Sequence, residues 1–598
     1  MSQTIAVSGA ASGASPRRRV SPFGFALLLA LGAFAVQAAG GFPRLTDAGG
    51  DNDSLLRLVQ VRDLMTGQGW FDLTQLRLGP DGLLMHWSRL VDLPIALLIG
   101  LFGLLPVPPQ MAEWAAMVAW PFLLLVAALW LLIRAAVLLG GEDAMLPAGI
   151  LGVIAMYHVG LFAAGVLDHH NVQLVLVLAV LALLAGEPTR RAGLVAGVAA
   201  ALMLAVGMET LPLLAVAGVV VALRFWWAGR SEAPFAAGFG LGLGGTALLI
   251  LVATVRPSEW FAPACDAFSI AQAASAAVAG LGLAAATLAP LSASRMARTF
   301  SLVVLGLAVV ALAVTFFPGC LADPYAGLDP RLQRYWLRAV GEAQPFWRVL
   351  RSNQAQAAAF YVTPVIGLGV SAWMFRRHGA SRALVAASAL LAAAFLLSLW
   401  QVRGGNFAVP LAAVPLAAWV ALYRRRAAAR PSAKTSLAMV GAWLVSVNVA
   451  WGLLAAFTID SGGDAQAAPG EQCTSASAFA ALAGLPPATV LAVSNIGSPI
   501  LAYTGHRVLA GPYHRNVAGN LLVLDAMMGD ADAAHAIVRD RHVAYVAHCP
   551  GDPESALLSE WAPGGFIDGL QKGIVRDWLE AMPPAAGAPL LLYRVVER

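Results

Sequence analysis

Apolar runs of roughly 17 to 25 residues, the length a helix needs to cross a bilayer, recur along the chain as far as about position 458. About thirteen such runs start near positions 22, 112, 145, 171, 192, 210, 235, 267, 299, 358, 383, 407 and 435. They predict a polytopic α-helical membrane protein with residues 22–458 as its transmembrane domain. Residues 1–21 are small and polar and read as a disordered cytoplasmic tail. The first run follows Arg17, Arg18 and Arg19, and no convincing cleavage site comes after it. It therefore reads as a retained helix and not as a signal peptide.

Beyond about Asp460 the pattern shortens. The runs ATVLAVSN, ILAYTG, HVAYVAHC and PLLLYRVV look like strands, and they alternate with helix-like stretches, TSASAFAALAGL and DADAAHAIVRDR. Residues 459–598 thus form a small α/β domain. Two links are longer than a connection requires, 41–111 and 318–357, and their length points to function. Within the first, LVDLPIALLIGLFGLLP is short for a crossing and reads as an apolar helix lying along the membrane surface. A true span there would invert everything after it.

Composition agrees: 59% of residues are hydrophobic, 12% are charged, and the mean hydropathy is +0.73. An odd number of spans puts the termini on opposite faces. Arg17 to Arg19, Arg190 and Arg191, Arg224 and Arg230, Arg295 and Arg298, Arg376 and Arg377, and Arg424 to Arg426 all fall on one of them. Because basic residues accumulate in cytoplasmic loops, that face is the inner one. The expectation is a multi-pass inner (plasma) membrane protein with a cytoplasmic N-terminus and a periplasmic, extracytoplasmic C-terminal domain. The net charge of +5 belongs largely to the inner loops, so no nucleic acid partner is inferred. Cys265, Cys320, Cys473 and Cys549 map to the outer side, where Cys265 with Cys320 and Cys473 with Cys549 are open pairings that sequence leaves undecided. There is no short-period repeat, P-loop or glycine-rich nucleotide fingerprint.

Acids are scarce in such a chain, yet GDNDS, VLDHHN and VGEAQPFW all fall on the outer face. Asp51 and Asp53 form a D-x-D pair of hard oxygen ligands suited to Mg²⁺ or Mn²⁺, and a helix N-cap before SLLRLVQV explains one of them equally well. Asp168 and His170 offer an oxygen and a nitrogen, with His169 adjacent. The competing reading makes Asp168 a helix cap and leaves the histidines in the headgroup region. Glu342 lies in the second long link, an ordinary loop acid when taken alone. Arg403, in QVRGGNF, stands on the face opposite most basic residues; an anionic ligand accounts for it, since its planar fork suits phosphate, and a structural ion pair is the alternative. Glu209, in GMETLP, reads as a cap or a site residue. PYHRN gathers polar groups at a loop, with His514 and Arg515 as possible site residues and a solvated loop as the other reading.

In order and spacing these features resemble the catalytic subunit of oligosaccharyltransferases, especially the single-subunit bacterial and archaeal type, with its GT-C glycosyltransferase fold. NDSLLRLVQVRDLM is similar to the family's first acidic motif and the following helix, DHH to the archaeal form of the second, VGEAQP to the loop that supplies a glutamate, and QVRGGNFAVPLAAVP to the segment whose arginine contacts donor phosphates. The resemblance implies Asp53, Asp168, His170 and Glu342 as metal ligands, Asp53 and Glu342 as catalytic, and Arg403 as the donor phosphate-binding residue. It implies a polyprenyl-linked sugar donor, contact with membrane lipid, and Mn²⁺ or Mg²⁺. The chain departs from the family where a Trp-Trp-Asp motif grips the acceptor sequon. Here Val493, Ser494 and Asn495 take those positions.

The expected activity is therefore metal-dependent, inverting transfer of a sugar or oligosaccharide from a polyprenyl phosphate or pyrophosphate to an extracytoplasmic acceptor. One alternative is a GT-C enzyme acting on a lipid, polysaccharide or cell-wall component. Another is a lipid-carrier flippase or transporter, against which stand polar groups at the outer edge instead of the midplane and the lack of paired repeats. A catalytically dead scaffold is the last, and retention of the donor-side acids opposes it.

Overall fold

The computed structural model describes residues 20–45, 50–322, 325, 327–459, 471–583 and 587–596, so the expected tail lies outside them except for Val20 and Ser21. Ser21 caps helix α1 (Pro22–Ala39), accepting from Gly24 N, with Pro22 opening the helix. The chain continues through α2 (Asn52–Met65), α3 (Arg89–Phe102), α4 (Pro109–Gly140), α5 (Met145–Val159), α6 (His170–Ala185), α7 (Arg190–Val206), α8 (Leu211–Ala228), α9 (Ala233–Thr254), α10 (Ile270–Ala286) and α11 (Arg295–Phe316). After α12 (Pro330–Tyr335) and α13 (Phe346–Ser352) in the second long link come α14 (Gln354–His378), α15 (Arg382–Trp400), α16 (Gly405–Ala429), α17 (Ala433–Ser446) and α18 (Asn448–Ile459).

Every expected apolar run is a helix. By length and composition, however, eight of the described helices can cross a membrane, or nine if α17 and α18, bent by 80°, count as one span. Helices α5, α6, α7 and α10 hold 15, 16, 17 and 17 residues. At about 1.5 Å per residue they fall short of a hydrocarbon core roughly 30 Å thick. Helix α16 is the hub, 83% buried in its apolar window, and it packs on α4, α5, α14 and α15. Elsewhere helices approach through glycine: a Cβ at Gly193 of α7 would lie 2.1 Å from Phe235 O of α9. No side chain fits, which is how backbones pack closely without a hydrophobic driving force between them.

The C-terminal region carries a sheet of β3 (Thr489–Leu491), β4 (Arg507–Val508), β5 (Val543–His548), β6 (Leu579–Ala581) and β7 (Leu591–Val595), after a small hairpin of β1 (Thr74–Gln75) and β2 (Leu83–Leu84) in the first long link. Its order is β4-β3-β5-β7-β6, parallel across β4, β3 and β5 and antiparallel from β5 to β6. ILAYTG, expected as a strand, belongs instead to a helix, Gly497–Tyr503. A short apolar run buried on all sides carries no period to separate the two, and Pro499 near its start favours a first helical turn. The first long link joins this region: Gly79 N donates to Val508 O and Val508 N to Arg77 O, both at 2.9 Å. Leu55, Leu56, Trp87, Leu332 and Trp336 share the region's hydrophobic core. Disulfides Cys265–Cys320 and Cys473–Cys549 close the two pairings considered from sequence, with Cα atoms 4.9 and 6.1 Å apart.

Candidate functional site

Helix α2 is amphipathic in an unusual way, burying Arg57 and Gln60 along with its apolar residues. Arg57 Nη1 donates to Asp92 Oδ1 at 2.8 Å, and Arg89 Nη1 approaches the other oxygen at 3.1 Å. All three side chains are at most 1% exposed, so α2 is clamped to α3 by a charge triad with no solvent to soften it. Arg62 holds the other end, bidentate to Glu113 at 2.9 and 2.7 Å and donating to Ala502 O. This frame points the first turn of α2 at a cavity of about 460 Å³ between the bundle and the C-terminal region.

Asp51 is the helix cap, accepting from Ser54 N and Ser54 Oγ, each at 2.8 Å. Ser54 Oγ in turn accepts from Leu167 N at 2.9 Å and Asp168 N at 3.3 Å. One hydroxyl thus joins the first acidic segment to the second across more than a hundred residues of chain. Asp53, free of the cap, faces the cavity, as do Asp168, His170 and Glu342. His170 Nδ1 contacts Asp168 Oδ2, His169 Nδ1 lies 2.8 Å from Asp168 Oδ1, and the two imidazoles stack at 4.5 Å.

Burial first, then the carboxylates of Asp168, Glu342 and Asp51, push the Asp53 carboxyl up to about 8. Burial and Asp168 likewise raise Asp51. Acids gathered this closely call for a cation that the neighbouring side chains do not fully supply. His170 Nε2 is buried without a hydrogen-bond partner among the described residues, its other nitrogen being held by Asp168. A carboxylate-oriented imidazole beside hard oxygens is a donor set that fits a divalent ion such as Mn²⁺.

Arg403 does not itself line the cavity and joins it through Glu342. The backbone bond from Val402 N to Gln344 O, 2.8 Å, ties the arginine segment to the glutamate loop. Arg403 Nη1 lies 3.7 Å from Glu342 and 3.8 Å from Glu209, Nε donates to Gln401 Oε1, and Nη2 donates to the Tyr325 hydroxyl. Glu209, undecided from sequence, is therefore part of the site; it also accepts from Gln173 Nε2 at 2.9 Å. Ser54 and Tyr325 were not anticipated. Ser54 directly follows the D-x-D pair, the one signal that marked it.

The wall across from the acids belongs to the C-terminal region. Asn495 Nδ2 donates to Asp552 Oδ1 at 2.5 Å, and its Oδ1 accepts from Asn52 Nδ2 at 3.0 Å. Ser494 Oγ lies 2.9 Å from both oxygens of Glu554, which also accepts from Asn495 N at 2.7 Å. Ser494 and Asn495 are thus engaged by Asp552, Glu554 and Asn52. His514 and Arg515 do not reach this cavity. Both bind Asp266, His514 Nε2 at 2.8 Å and Arg515 at 2.6 and 2.7 Å, and Tyr513 is buried with its hydroxyl on Asn52 O. PYHRN is a docking segment and not a solvated loop.

The sequence matches no protein-family model and no curated relative. Its structure is similar to that of the oligosaccharyltransferase AglB of the archaeon Archaeoglobus fulgidus. For that protein in complex with an inhibitory peptide and a dolichol-phosphate, the TM-score is 0.64 at 13% identity, covering 93% of this chain and 72% of the other. For the form tethered to an acceptor peptide with the NVT sequon, the values are 0.65, 13%, 96% and 74%. A complex of it with Zn and sulfate gives 0.58, 12%, 91% and 70%. The fold of this chain is that of the archaeal oligosaccharyltransferase, a GT-C fold.

Proposed function

We propose that this protein is a GT-C glycosyltransferase that moves a sugar or oligosaccharide from a polyprenyl phosphate or pyrophosphate to an extracytoplasmic acceptor. One observation carries the reading: Asp53, Asp168, His170 and Glu342, drawn from three remote segments, line a single cavity whose Glu342 is held by Arg403. The archaeal neighbour's dolichol-phosphate complex supports a lipid-linked donor. The clustering of basic residues supports an inner-membrane chain with about thirteen spans, a cytoplasmic N-terminus and the outer domain in the periplasm.

In this reading Arg403 binds the donor phosphate through its fork and neutralises charge as the bond to the anomeric carbon breaks. Asp168 and His170, with Asp53 and Glu342, would hold a divalent ion, which when bound supplies Lewis-acid stabilisation of the same phosphate. Asp53 and Glu342 orient the attacking group, and Asp53 takes its proton. Ser54 keeps Asp51 and the Asp168 segment in register.

The closed Ser494–Glu554 wall favours a lipid, polysaccharide or cell-wall acceptor over a sequon peptide, since both side chains that would replace the missing motif are already bonded. The test uses purified protein with radiolabelled polyprenyl-pyrophosphate oligosaccharide, Mn²⁺ or EDTA, and sequon peptide and membrane lipid in competition. Metal-dependent consumption of donor is expected, with label on lipid. Label on peptide would restore an oligosaccharyltransferase with an unusual acceptor pocket. No consumption in any condition would return the transporter and scaffold readings.

A further inference from the structure

A second cavity, of about 360 Å³, opens between α1, α4 and α5. Its walls are apolar, among them Ala33, Leu125, Val153 and Met156. It is not an independent pocket, because Arg44 and Gly160 line both it and the catalytic cavity. From Gly40 back to Ala33 it follows two turns of α1, a descent of about 10 Å toward the bilayer interior. Val36 and Tyr157, at its rim, are 64% and 63% exposed.

The end facing the acids is polar. Arg44 has no hydrogen-bond or ion-pair partner among the described residues, and its guanidinium rests against Gly160, where a Cβ would lie 3.2 Å from Nη2. Gly160 has φ +75, a left-handed conformation that glycine adopts without strain, so the chain passes the arginine without a side chain between them. His158 Nε2 is buried and unpartnered among the described residues, and its ring packs on Phe360 at 5.2 Å. Arg44 shares its charge with the Asp51 carboxylate but bonds to no described side chain, and a guanidinium so placed above an apolar channel is complementary to an anionic headgroup carrying an acyl or isoprenoid tail.

We infer that this groove seats the acceptor, a membrane lipid whose headgroup carries both an anionic group, held by Arg44, and the attacking hydroxyl. The inference rests on the function proposed above. Inverting displacement requires nucleophile and leaving group on opposite faces of the sugar. Arg403 takes the leaving phosphate beside Glu342, and the groove reaches the acids from the Asp51 and Gly160 side. The hydroxyl oxygen forms the new bond to the anomeric carbon. The carbon–oxygen bond to phosphate breaks with its electron pair going to phosphate, and the hydroxyl proton passes to Asp53.

The experiment places the full chain in nanodiscs with diazirine-labelled phosphatidylglycerol or phosphatidylcholine and maps the photoproducts. Phosphatidylglycerol should label residues 33–44 and 153–164 at least fivefold more than phosphatidylcholine. Arg44→Gln should abolish the difference, and Val153→Trp, which fills the groove, should remove label from both lipids. Equal labelling by the two headgroups, or labelling untouched by Val153→Trp, overturns the inference. In the donor assay, Val153→Trp should lower lipid glycosylation at least tenfold relative to donor hydrolysis. Peptide glycosylation unaffected by Val153→Trp would overturn the groove and leave the glycosyltransferase standing. Headgroup-selective labelling in a protein that consumes no donor would do the reverse.

Discussion

Among the described residues two clusters each bring three potential metal ligands within 4.8 Å of one another, Asp168 with His169 and His170, and Asp266 with His86 and His514. Both acids are answered, Asp168 by His169 and His170 alone and Asp266 by an arginine as well as His514; they differ in the fixed positive charge and in the further carboxylate, Asp53, that stands beside Asp168. Asp266 is bidentate to Arg515 and bonded to His514; burial pushes its carboxyl upward, yet those hydrogen bonds hold it well below the usual range. Asp53, beside Asp168, is driven the other way, up to about 8, by burial and by three further carboxylates. A carboxylate met by the protein's own arginine ties two segments together, and here it fastens PYHRN to the stretch closed by Cys265–Cys320. Carboxylates left facing one another store repulsion that an added cation relieves. Ligand count alone does not separate structure from chemistry; the fixed positive charge does.

The contrast breaks most severely at Asp53. Asp53→Asn is expected to lower glycosyl transfer about a thousandfold or more, while melting in EDTA stays level or rises because repulsion among the acids is relieved. Initial rates and differential scanning fluorimetry check both, and a large loss of stability would refute the assignment. Asp92 sharpens the comparison from the opposite side. Asp92→Leu strands two buried arginines and should cost about 3–5 kcal/mol, read as denaturant or thermal destabilisation of α2.

Manganese distinguishes the clusters directly. At about a hundred times its dissociation constant, Mn²⁺ should stabilise the wild type by about 2.7 kcal/mol. That increment should vanish in Asp168→Asn and persist in Asp266→Asn, which is itself destabilised through the unpaired Arg515. The smallest effect concerns Glu554, whose carboxyl burial and then Asp552 push up to about 7. The folded chain keeps a proton there that the unfolded chain releases near about 4.3. Stability is thus greatest below that lower value and declines as pH rises toward 7. Glu554→Gln should flatten the decline, a gain on the order of 2 kcal/mol at pH 8 visible in melting curves against pH.

Much of the site was legible because scarcity makes an acid conspicuous in an apolar chain. Asp53, Asp168, His170 and Glu342 stood out for that reason, and they do share one cavity. Glu209 stayed ambiguous, since a turn glutamate looks the same whether it caps a helix or leans on an arginine nearly two hundred residues away. His514 and Arg515 were polar and adjacent, but their partner, Asp266, lies in a segment with no motif of its own. Span number was less secure than helix number, because four helices form where apolar runs were read yet fall short of a bilayer's thickness.

By itself the sequence determined the succession of helices, the C-terminal run of short strands and helices, and the rarity of the acids, all of which follow from local hydrophobic period and composition. Only the tertiary structure decided that the run at Gly497–Tyr503 is a helix, that the first long link extends the C-terminal sheet, and that Ser494 and Asn495 are closed on Glu554 and Asp552. These depend on contacts between residues far apart in the chain, whose energies no local period encodes. The same holds for charge: whether a carboxylate meets an arginine or another carboxylate is settled when the segments pack, and that pairing separates a structural ion bridge from a candidate metal site.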